Sequence, residues 1–422
     1  MKNKAQIKNQ NMTTTKTNAL RILIPNATSP KNIGDLAILT GLVSLLGKNN
    51  KLIIHSTEPR LYKSFFNYKV SHTLYSWAVF QDRKFIIRVK RICQLLLNYV
   101  LVKNNVKQFG QGNLGLLIDD FISADVILFV GGGFIRSQKG IKQTLNLLMT
   151  LFIFQFAKVS TAKKIVAPIS FGPFAYKWQE KYAARVLKGF DIVATREHYS
   201  FNLLKKYKLA NLINSSDSSF FLNTKKKNNS LRRGKVILGF TIRKWLDEDL
   251  QKSFEAKFID SIAMFAKITS AQIQPIVQVD APKYGENDAR LTEKISMGLK
   301  GKGVKVLPIK KIVDLKSAFK VYGEIDLLLG MRMHSNILAA TQSTPFAAIA
   351  YEYKTEGISK QLSMEKYCIR CENVNESRLI KILLEVHANR SRIKNQLRKA
   401  VKTIQVTEMN RWNSLLSNNV SI

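Results

Sequence analysis

An arginine and a histidine stand two positions apart just after an apolar run. Residues 325–329 predict a buried strand, and Arg332 and His334 follow it immediately before a helical pattern that includes Ser335. Ligands bind at the carboxyl ends of strands in open α/β sheets, and helix N-termini attract anions. A guanidinium suits phosphate or carboxylate, and an imidazole can move a proton near neutral pH. We predict that His334 is an acid–base group and that Arg332 and Ser335 contact an anionic substrate.

Two further arginines follow predicted strands in the same way. Arg196 comes directly after a strand at residues 192–195, and Arg243 comes just past a strand at residues 235–241. One such arginine is usually part of a surface salt bridge, but three in equivalent places suit a ligand with several anionic oxygens. Arg196 and Arg243 are therefore predicted to line the same site as the first arginine.

Two loop segments could also reach this site. Three glycines, of which Gly132 and Gly133 are predicted substrate contacts, follow a strand at residues 124–130 and allow a ligand to approach the backbone. They match neither a dinucleotide fingerprint nor a phosphate-binding P-loop. At the start of the first helix, Asp35 could cap the helix, or Asn32 and Asp35 could both lie in the cleft. Both possibilities stay open from the sequence.

The composition limits the class of protein. The 422 residues are 45% apolar, and they contain 67 basic and 29 acidic residues, which gives a formal net charge of +38. The lysines are spread along the whole chain without a zinc finger, a homeodomain or an RNA-binding aromatic motif. We therefore predict a solvated basic surface and no nucleic-acid partner, with attraction to anionic lipid or glycan as a further possibility.

The cysteines and the apolar segments indicate the compartment. Cys93, Cys368 and Cys371 are too few for a disulfide framework, and no second pair or nearby histidine completes a zinc site. We expect a cytoplasmic protein. No run reaches the ~18 uncharged apolar residues of a membrane span. The basic amphipathic segment 84–103 is expected to pack on the core, and the alternative is peripheral attachment to the inner face of the membrane.

Strand and helix patterns alternate along most of the chain, which is typical of parallel, doubly wound α/β sheets. A polar basic stretch interrupts this alternation, which then begins again. We predict two Rossmann-like domains that face a cleft. The predicted parts are a disordered basic tail at 1–18, an acceptor-side domain at 19–224, a linker at 225–235, a donor-side domain at 236–376 and a helical segment at 377–422.

Several short motifs occur in one unbroken order from about Asn32 to Gly357. They are Asn32-Ile33-Gly34-Asp35, Gly131-Gly132-Gly133-Phe134, residues 168–172, Thr195-Arg196-Glu197, Asp217-Ser218-Ser219-Phe220, residues 239–243 and Arg332-Met333-His334-Ser335. In this order the chain resembles the polysaccharide pyruvyl transferase family, whose fold is similar to two-domain glycosyltransferases of GT-B type. Lys31 and Ser218 stand where members often have glycine and proline, so the shapes of these two loops are expected to differ.

The resemblance implies an activity and a partner. Family members transfer pyruvate from phosphoenolpyruvate to sugar hydroxyls as a ketal. His334 would be the acid–base residue, Arg332 would bind phosphoenolpyruvate, and Arg196 and Arg243 would be further anion contacts. Phosphoenolpyruvate is then a co-substrate, and no metal or cofactor is expected. The acceptor would be a sugar of a cell-surface polysaccharide or of its lipid-linked precursor.

Two other functions stay open at this point. A nucleotide-sugar glycosyltransferase would share the fold, although Glu352 and Glu356 lie four residues apart, whereas retaining members commonly carry two glutamates eight apart. A non-enzymatic basic protein that binds glycan or nucleic acid would bind in a strongly salt-dependent manner and would not depend on His334. The sequence carries no signal for the oligomeric state.

Overall fold

The structure, a computed structural model, describes residues 19–46, 50–80, 84–106, 112–222, 235–281 and 286–417. The predicted tail at 1–18 and all but the last residue of the predicted linker at 225–235 lie outside these residues. The strands of the first half are β1 (Arg21–Ala27), β2 (Lys51–Ser56), β3 (Lys69–His72), β4 (Val126–Phe129), β5 (Gly132–Ile135), β6 (Lys163–Phe171), β7 (Ile192–Thr195) and β8 (Leu212–Asn214). Its helices are α1 (Ile33–Leu45), α2 (Pro59–Tyr62), α3 (Leu74–Val79), α4 (Phe85–Lys103), α5 (Asn113–Ile122), α6 (Ile141–Ala157), α7 (Lys177–Leu187) and α8 (His198–Lys205).

The second half repeats this alternation of strands and helices. Its strands are β9 (Ile237–Thr241), β10 (Gln272–Val277), β11 (Asp280–Ala281), β12 (Glu286–Asn287), β13 (Lys310–Lys311), β14 (Leu327–Gly330), β15 (Phe346–Ala350) and β16 (Cys368–Arg370). Its helices are α9 (Glu248–Thr269), α10 (Ala289–Gly301), α11 (Leu315–Glu324), α12 (Met333–Thr341), α13 (Tyr353–Gln361), α14 (Glu376–Ala388) and α15 (Arg390–Ser417).

Two parallel sheets of related topology organise the described residues. The first has the order β3-β2-β1-β4-β6-β7-β8, with β5 also paired to β6, and the second has the order β13-β10-β9-β14-β15-β16. In both sheets the chain starts near the middle, moves to one edge and then crosses to the other side. Ligands bind where this order reverses, at the carboxyl ends of the strands. Those points lie beside β1 and β4 in the first sheet and beside β9 and β14 in the second.

The central strands are apolar along their whole length because helices cover both faces of each sheet. Every residue of β4 (Val-Ile-Leu-Phe) and of β14 (Leu-Leu-Leu-Gly) is buried. Continuous apolar runs of this kind are typical of buried parallel strands. One apolar cluster contains Ile24 and Leu36 from the first half together with Phe240 and Leu328 from the second. The two sheets therefore share a core.

The last helix returns from the second half to the first. The indole of Trp412 on α15 is 1% exposed, and its Nε1 donates to the Ser215 hydroxyl over 3.2 Å. The amide of Gln405 donates to the carbonyl of Phe220 over 2.8 Å. Thus α15 packs beside the 3-10 turn at Ser218–Phe221, which belongs to the first half.

The predicted α/β fold with two parallel sheets is confirmed, while the exact domain limits stay predictions. Two local predictions differ from the structure. The glycines at 131–133 run into strand β5, and the helical tail is divided into α14 and α15 at Asn389.

Across the described ranges, no helix is both long and apolar enough to cross a membrane.

Candidate active site

A cavity of about 180 Å³ lies between the carboxyl edges of the two sheets. From the first half it is lined by Asn26, Ala27, Thr28, Asn32, Asp35, Leu39, Tyr62, Val130, Gly131, Gly132, Gly133, Phe134, Arg136 and Arg196. From the second half it is lined by Arg243, Gln278, Val279, Arg332, Met333, His334, Tyr351 and Lys354. Five of these residues are basic, four arginines and one lysine, and one, Asp35, is a carboxylic acid. The cavity therefore suits an anionic ligand.

His334 lies where the two halves meet. It belongs to the first turn of α12, which starts after β14, and its side chain is 15% exposed. Its ring packs on the first turn of α1, where a Cβ atom added to Gly34 would lie 2.2 Å from His334 Nδ1. Only a glycine at this position leaves room for the imidazole.

The other edge of the His334 ring faces a buried carboxylate. His334 Nε2 lies 3.6 Å from Asp217 Oδ2, and Asp217 is 0% exposed. Burial alone would raise the pKa of Asp217, but the facing His334 ring and the charge of Arg196 outweigh it and hold the pKa well below its usual value. Asp217 therefore stays ionised and places a negative charge beside the histidine ring.

Arg196 is a buried partner of this carboxylate. Its Nη1 donates to Asp217 over 2.7 Å, and its Nε donates to the hydroxyl of Ser170 over 2.8 Å. The residue is 1% exposed, although it reaches the cavity wall. Two of the three guanidinium nitrogens are thus bonded within the first half. The geometry assigns Arg196 a place in the network around Asp217, and its predicted contact with substrate stays a prediction.

Arg332 forms a two-point pair with a second buried carboxylate. Its Nε and Nη2 donate to the two oxygens of Asp288 over 3.0 and 2.6 Å. Asp288 is 1% exposed and immediately precedes α10. The Nε–Nη2 edge, which commonly binds a carboxylate or phosphate in two-point fashion, is therefore engaged by the protein itself. Arg332 lines the cavity as predicted, and its orientation is fixed by Asp288.

Arg243 lies against two aromatic rings. Its guanidinium carbon lies 5.2 Å from the ring centre of Trp245 and 4.8 Å from that of Tyr351, and its Nη1 donates to the Tyr351 hydroxyl over 3.2 Å. Burial would raise the pKa of Tyr351, but Lys354 and Arg243 outweigh it and lower the pKa. These contacts stabilise one orientation of Arg243 at the cavity wall.

The predicted backbone segments reach the cavity as well. Asn32, not Asp35, caps α1 by accepting from the backbone N–H of Gly34 over 3.1 Å, while Asp35 accepts from Thr28 over 2.7 Å. Both residues line the cavity, so capping and a cleft position are compatible. A Cβ atom on Gly133 would lie 3.4 Å from Arg196 Nη2 and 3.6 Å from Lys354 Nζ. The absent side chain at Gly133 lets two cations approach.

Gly132 and Ser335 occupy different surroundings. Gly132 lines the cavity with a φ of 145°, a conformation that favours glycine. Ser335 is 0% exposed and is not among the lining residues. Its hydroxyl contacts that of Thr241 at 2.8 Å and donates to the carbonyl of Arg332. The side chain of Ser335 therefore connects α12 to β9, and no contact with the cavity supports its predicted role in substrate binding.

The sequence did not predict Lys354, Arg136 or Asp217 as site residues. Lys354 and Arg136 line the cavity, and both pair with Glu352. Lys354 follows β15 and obeys the strand-end rule that identified the arginines. Arg136 follows β5, which the sequence did not reveal as a strand. Asp217 appeared only as part of a motif, because an Asp-Ser-Ser sequence is equally typical of a helix cap.

The pairing of the glutamates bears on the glycosyltransferase alternative. Glu352 is bound by Arg136 and by Lys354, and Glu356 accepts from Arg370 over 2.9 and 2.6 Å. Both carboxylates are thus occupied by protein cations.

Within the described ranges, no group of three or more His, Cys, Asp or Glu side chains lies together in a way that could hold a metal ion.

The sequence is similar to a known protein family and to a known protein. The sequence profile of the family described as "Polysaccharide pyruvyl transferase" matches residues 32–353. A relative, amylovoran biosynthesis protein AmsJ of Erwinia amylovora, is 22% identical over 411 residues that cover 91% of this chain and 96% of the relative. The profile includes every predicted site residue.

Solved structures confirm the GT-B-like fold and, at this identity, nothing more. Alr3699/HepE of Anabaena, in complex with UDP and glucose, gives a TM-score of 0.54 at 10% identity and covers 94% of this chain and 99% of its own. UDP-GlcNAc 2-epimerase of Neisseria meningitidis, bound to UDP-GlcNAc, gives 0.54 at 11% identity with the same two coverages. The family match spans most of the sequence, and this chain therefore belongs to the polysaccharide pyruvyl transferase family.

Proposed function

We propose that this enzyme transfers pyruvate from phosphoenolpyruvate to two hydroxyls of one sugar and forms a ketal. The sugar belongs to a polysaccharide or to its lipid-linked precursor. The observation that supports this most directly is His334, which faces the ionised Asp217 in a cavity lined by five cations. That combination suits an anionic substrate that must receive a proton.

The cations suit the donor. Phosphoenolpyruvate carries a phosphate and a carboxylate, and guanidinium groups bind both. Arg243 and Lys354 from the second half and Arg136 from the first approach the cavity together with Arg332. Because these side chains already supply positive charge, the proposed reaction needs no metal ion.

The first chemical step in this proposal is a proton transfer to carbon. The protonated ring of His334 gives its proton to C3 of phosphoenolpyruvate, and C2 becomes electrophilic. The ionised Asp217 lies 3.6 Å from the ring. A sugar hydroxyl then attacks C2 and returns a proton to His334.

The second half of the reaction completes the ketal. The C2–O bond to phosphate breaks, and a neighbouring hydroxyl of the same sugar attacks C2. One of the two hydroxyl protons returns to His334 and replaces the proton that entered the new methyl group. The other leaves with phosphate. The products are the pyruvate ketal and inorganic phosphate, so no oxidant or reductant is required.

The decisive experiment measures phosphate release and the mass of the glycan product with phosphoenolpyruvate and candidate glycolipids. His334→Ala should lower turnover by about 10²- to 10⁴-fold, the usual contribution of a general acid, while phosphoenolpyruvate still raises the melting temperature. The chain offers a matched control, since Arg196-Glu197-His198 repeats the spacing of the Arg332–His334 motif and His198 is exposed. His198→Ala should retain full turnover.

Two results would contradict the proposal. Unchanged turnover in His334→Ala would show that His334 is not the proton donor. Stabilisation by UDP-sugars or GDP-sugars, with none by phosphoenolpyruvate, would favour the glycosyltransferase alternative.

A further inference from the structure

Helix α4 carries an exposed apolar face. Ile86, Val89, Leu96 and Val100 are 80%, 42%, 47% and 53% exposed and, with the exposed Cys93 between them, repeat every three or four residues. Phe85 and Leu97 extend this surface, which we call the α4 face. Residues with this spacing lie on one side of a helix.

This face is not the one that holds α4 to the protein. The helix packs through its opposite side, where Leu95 is 1% exposed and Tyr99 contacts the ring of Phe156 at 6.2 Å. Arg91 adds a hydrogen bond of 3.2 Å to the carbonyl of Trp77. A surface helix normally buries one apolar stripe and exposes polar residues. Helix α4 has a second apolar stripe that the described residues leave uncovered.

The charge around this surface has a single sign. Helix α4 contains Arg88, Lys90, Arg91 and Lys103, and the sequence has no Asp or Glu from residue 84 to residue 118. Lys90 is exposed beside the apolar stripe. The net charge of the whole chain, +38, has the same sign. A partner of this surface must therefore be both apolar and anionic.

The start of α6, next to this surface, also carries exposed apolar residues. Ile141 and Leu145 are 81% and 56% exposed. The hydroxyl of Tyr75 contacts Asn146 at 3.0 Å, and the ring of Tyr75 lies 5.1 Å from that of Phe80, which is 44% exposed. The contact between Tyr75 and Asn146 joins α3 and α6 beside α4. The sequence again lacks acidic residues from 126 to 179.

We propose that the α4 face docks on the surface of an anionic lipid bilayer. An amphipathic helix with apolar residues on one side and flanking Lys and Arg lies in the interface of such a membrane. Apolar side chains enter the acyl boundary, and the cations contact lipid phosphates. The four cations of α4 and its packing on α3 and α6 place it on the surface and not across the bilayer.

Two other occupants fit less well. A second copy of the chain would bring the same cations face to face, which is repulsive. The segments outside the described residues, such as 1–18 and 223–234, are rich in Lys, Asn and Thr and contain few large apolar side chains. A bilayer supplies both the apolar interior and the negative charge.

The position of this surface gives docking a purpose. Helix α6 begins after β5, at the carboxyl edge of the first sheet, and Gly132 and Gly133 of β5 line the cavity. A bilayer at this face would hold lipid-linked sugars near the mouth of the site. This purpose rests on the proposed function, but the docking itself does not.

Vesicle flotation of the full chain without substrate tests the proposal. The protein should float with vesicles of phosphatidylcholine and phosphatidylglycerol, should not float with phosphatidylcholine alone, and should detach at high salt. Lys90→Glu should weaken binding at least about fivefold, since each cation near an anionic surface contributes about that factor. Ile86→Asp should abolish flotation while its melting temperature stays unchanged.

A matched control lies in the second half. Leu250 is 61% exposed on α9, and Leu250→Asp should bind vesicles as the unchanged protein does. The proposal fails if the unchanged protein does not bind anionic vesicles, or if Leu250→Asp weakens binding as much as Ile86→Asp. It also fails if sedimentation shows a dimer that Ile86→Asp dissociates, because the face would then join two copies. Pyruvyl transfer to a water-soluble acceptor would be unaffected in each variant, so failure of docking and failure of the proposed function are distinguishable.

Discussion

Asp217 is the residue through which the first half acts on His334. It is fully buried and accepts from Arg196 and from the backbone and hydroxyl of Ser219. Its lowered pKa means that it stays ionised at every pH at which an enzyme of this kind is assayed. A fixed negative charge therefore faces the imidazole that donates a proton in the proposed first step.

This role predicts a loss of turnover in Asp217→Asn. The variant keeps the size of the side chain but removes the fixed negative charge that faces the ring of His334. We expect turnover to fall by roughly 100-fold, which is within the range that a general acid contributes. Steady-state kinetics of the variant and of the unchanged enzyme would measure the loss.

Ser219→Ala is the control for this variant. It removes the hydroxyl that donates to Asp217 over 2.5 Å and leaves the negative charge in place. Its turnover should therefore stay close to that of the unchanged enzyme. Full turnover in Asp217→Asn would show that the carboxylate has no part in the reaction.

At this scale the sequence revealed the residues that follow apolar runs. Arg332, His334 and Arg243 were found because each stands just past a predicted strand, and all three line the cavity. The sequence could not reveal that Asp288 engages Arg332, since the two residues are 44 positions apart and meet only in the folded chain. It also gave no sign that the side chain of Ser335 points away from the cavity.

Helix α1 is the element that connects the site to the rest of the first half. Gly34 and Gly41 lie seven residues apart and therefore on the same side of the helix. A Cβ atom at Gly34 would meet the ring of His334, and one at Gly41 would lie 1.9 Å from the carbonyl oxygen of Ser218, next to Asp217. The two glycines let α1 approach both members of the His334–Asp217 pair.

The two glycines should therefore respond differently to alanine. Gly34→Ala should displace the ring of His334 and lower turnover by about 100-fold, because small misplacements of a catalytic group are costly. Its melting temperature should change little, since a side chain can move. Gly41→Ala meets a backbone carbonyl and should destabilise the fold by about 1–3 kcal/mol. Thermal unfolding and turnover, measured on both variants, separate these effects, and an equal loss of stability in both would contradict this account.

The elements that the sequence predicted best are those with long apolar runs. Strands β4, β7 and β14 were predicted near their observed bounds because burial on both sides leaves an unbroken apolar pattern. Strand β5 was missed, since Gly-Gly-Phe-Ile resembles a loop. Gly131, just before it, passes so close to β6 that an added Cβ atom would lie 2.2 Å from the carbonyl of Pro168. Such an approach depends on the tertiary structure and leaves only a weak mark in the sequence.

Several contacts outside the cavity connect the two halves of the molecule. Arg136 of the first half pairs with Glu352 of the second, and the ring of Tyr353 stacks on Tyr199 at 3.9 Å. The two sheets share an apolar cluster, and α15 returns to the first half. The sequence indicated that the last helix was long enough to cross between the halves, but its docking partners could not be read from it.

These connections predict that the two halves unfold together. Proteins with two domains often show two transitions, but a shared core and a helix that bridges both halves couple them. Calorimetry of the unchanged protein should therefore show one transition. Trp412→Ala removes a fully buried indole and its hydrogen bond to Ser215, and it should lower stability by about 3–5 kcal/mol. Lys402→Ala, at an exposed position of the same helix, should leave the transition unchanged. Two separate transitions in the unchanged protein would show that α15 does not couple the halves.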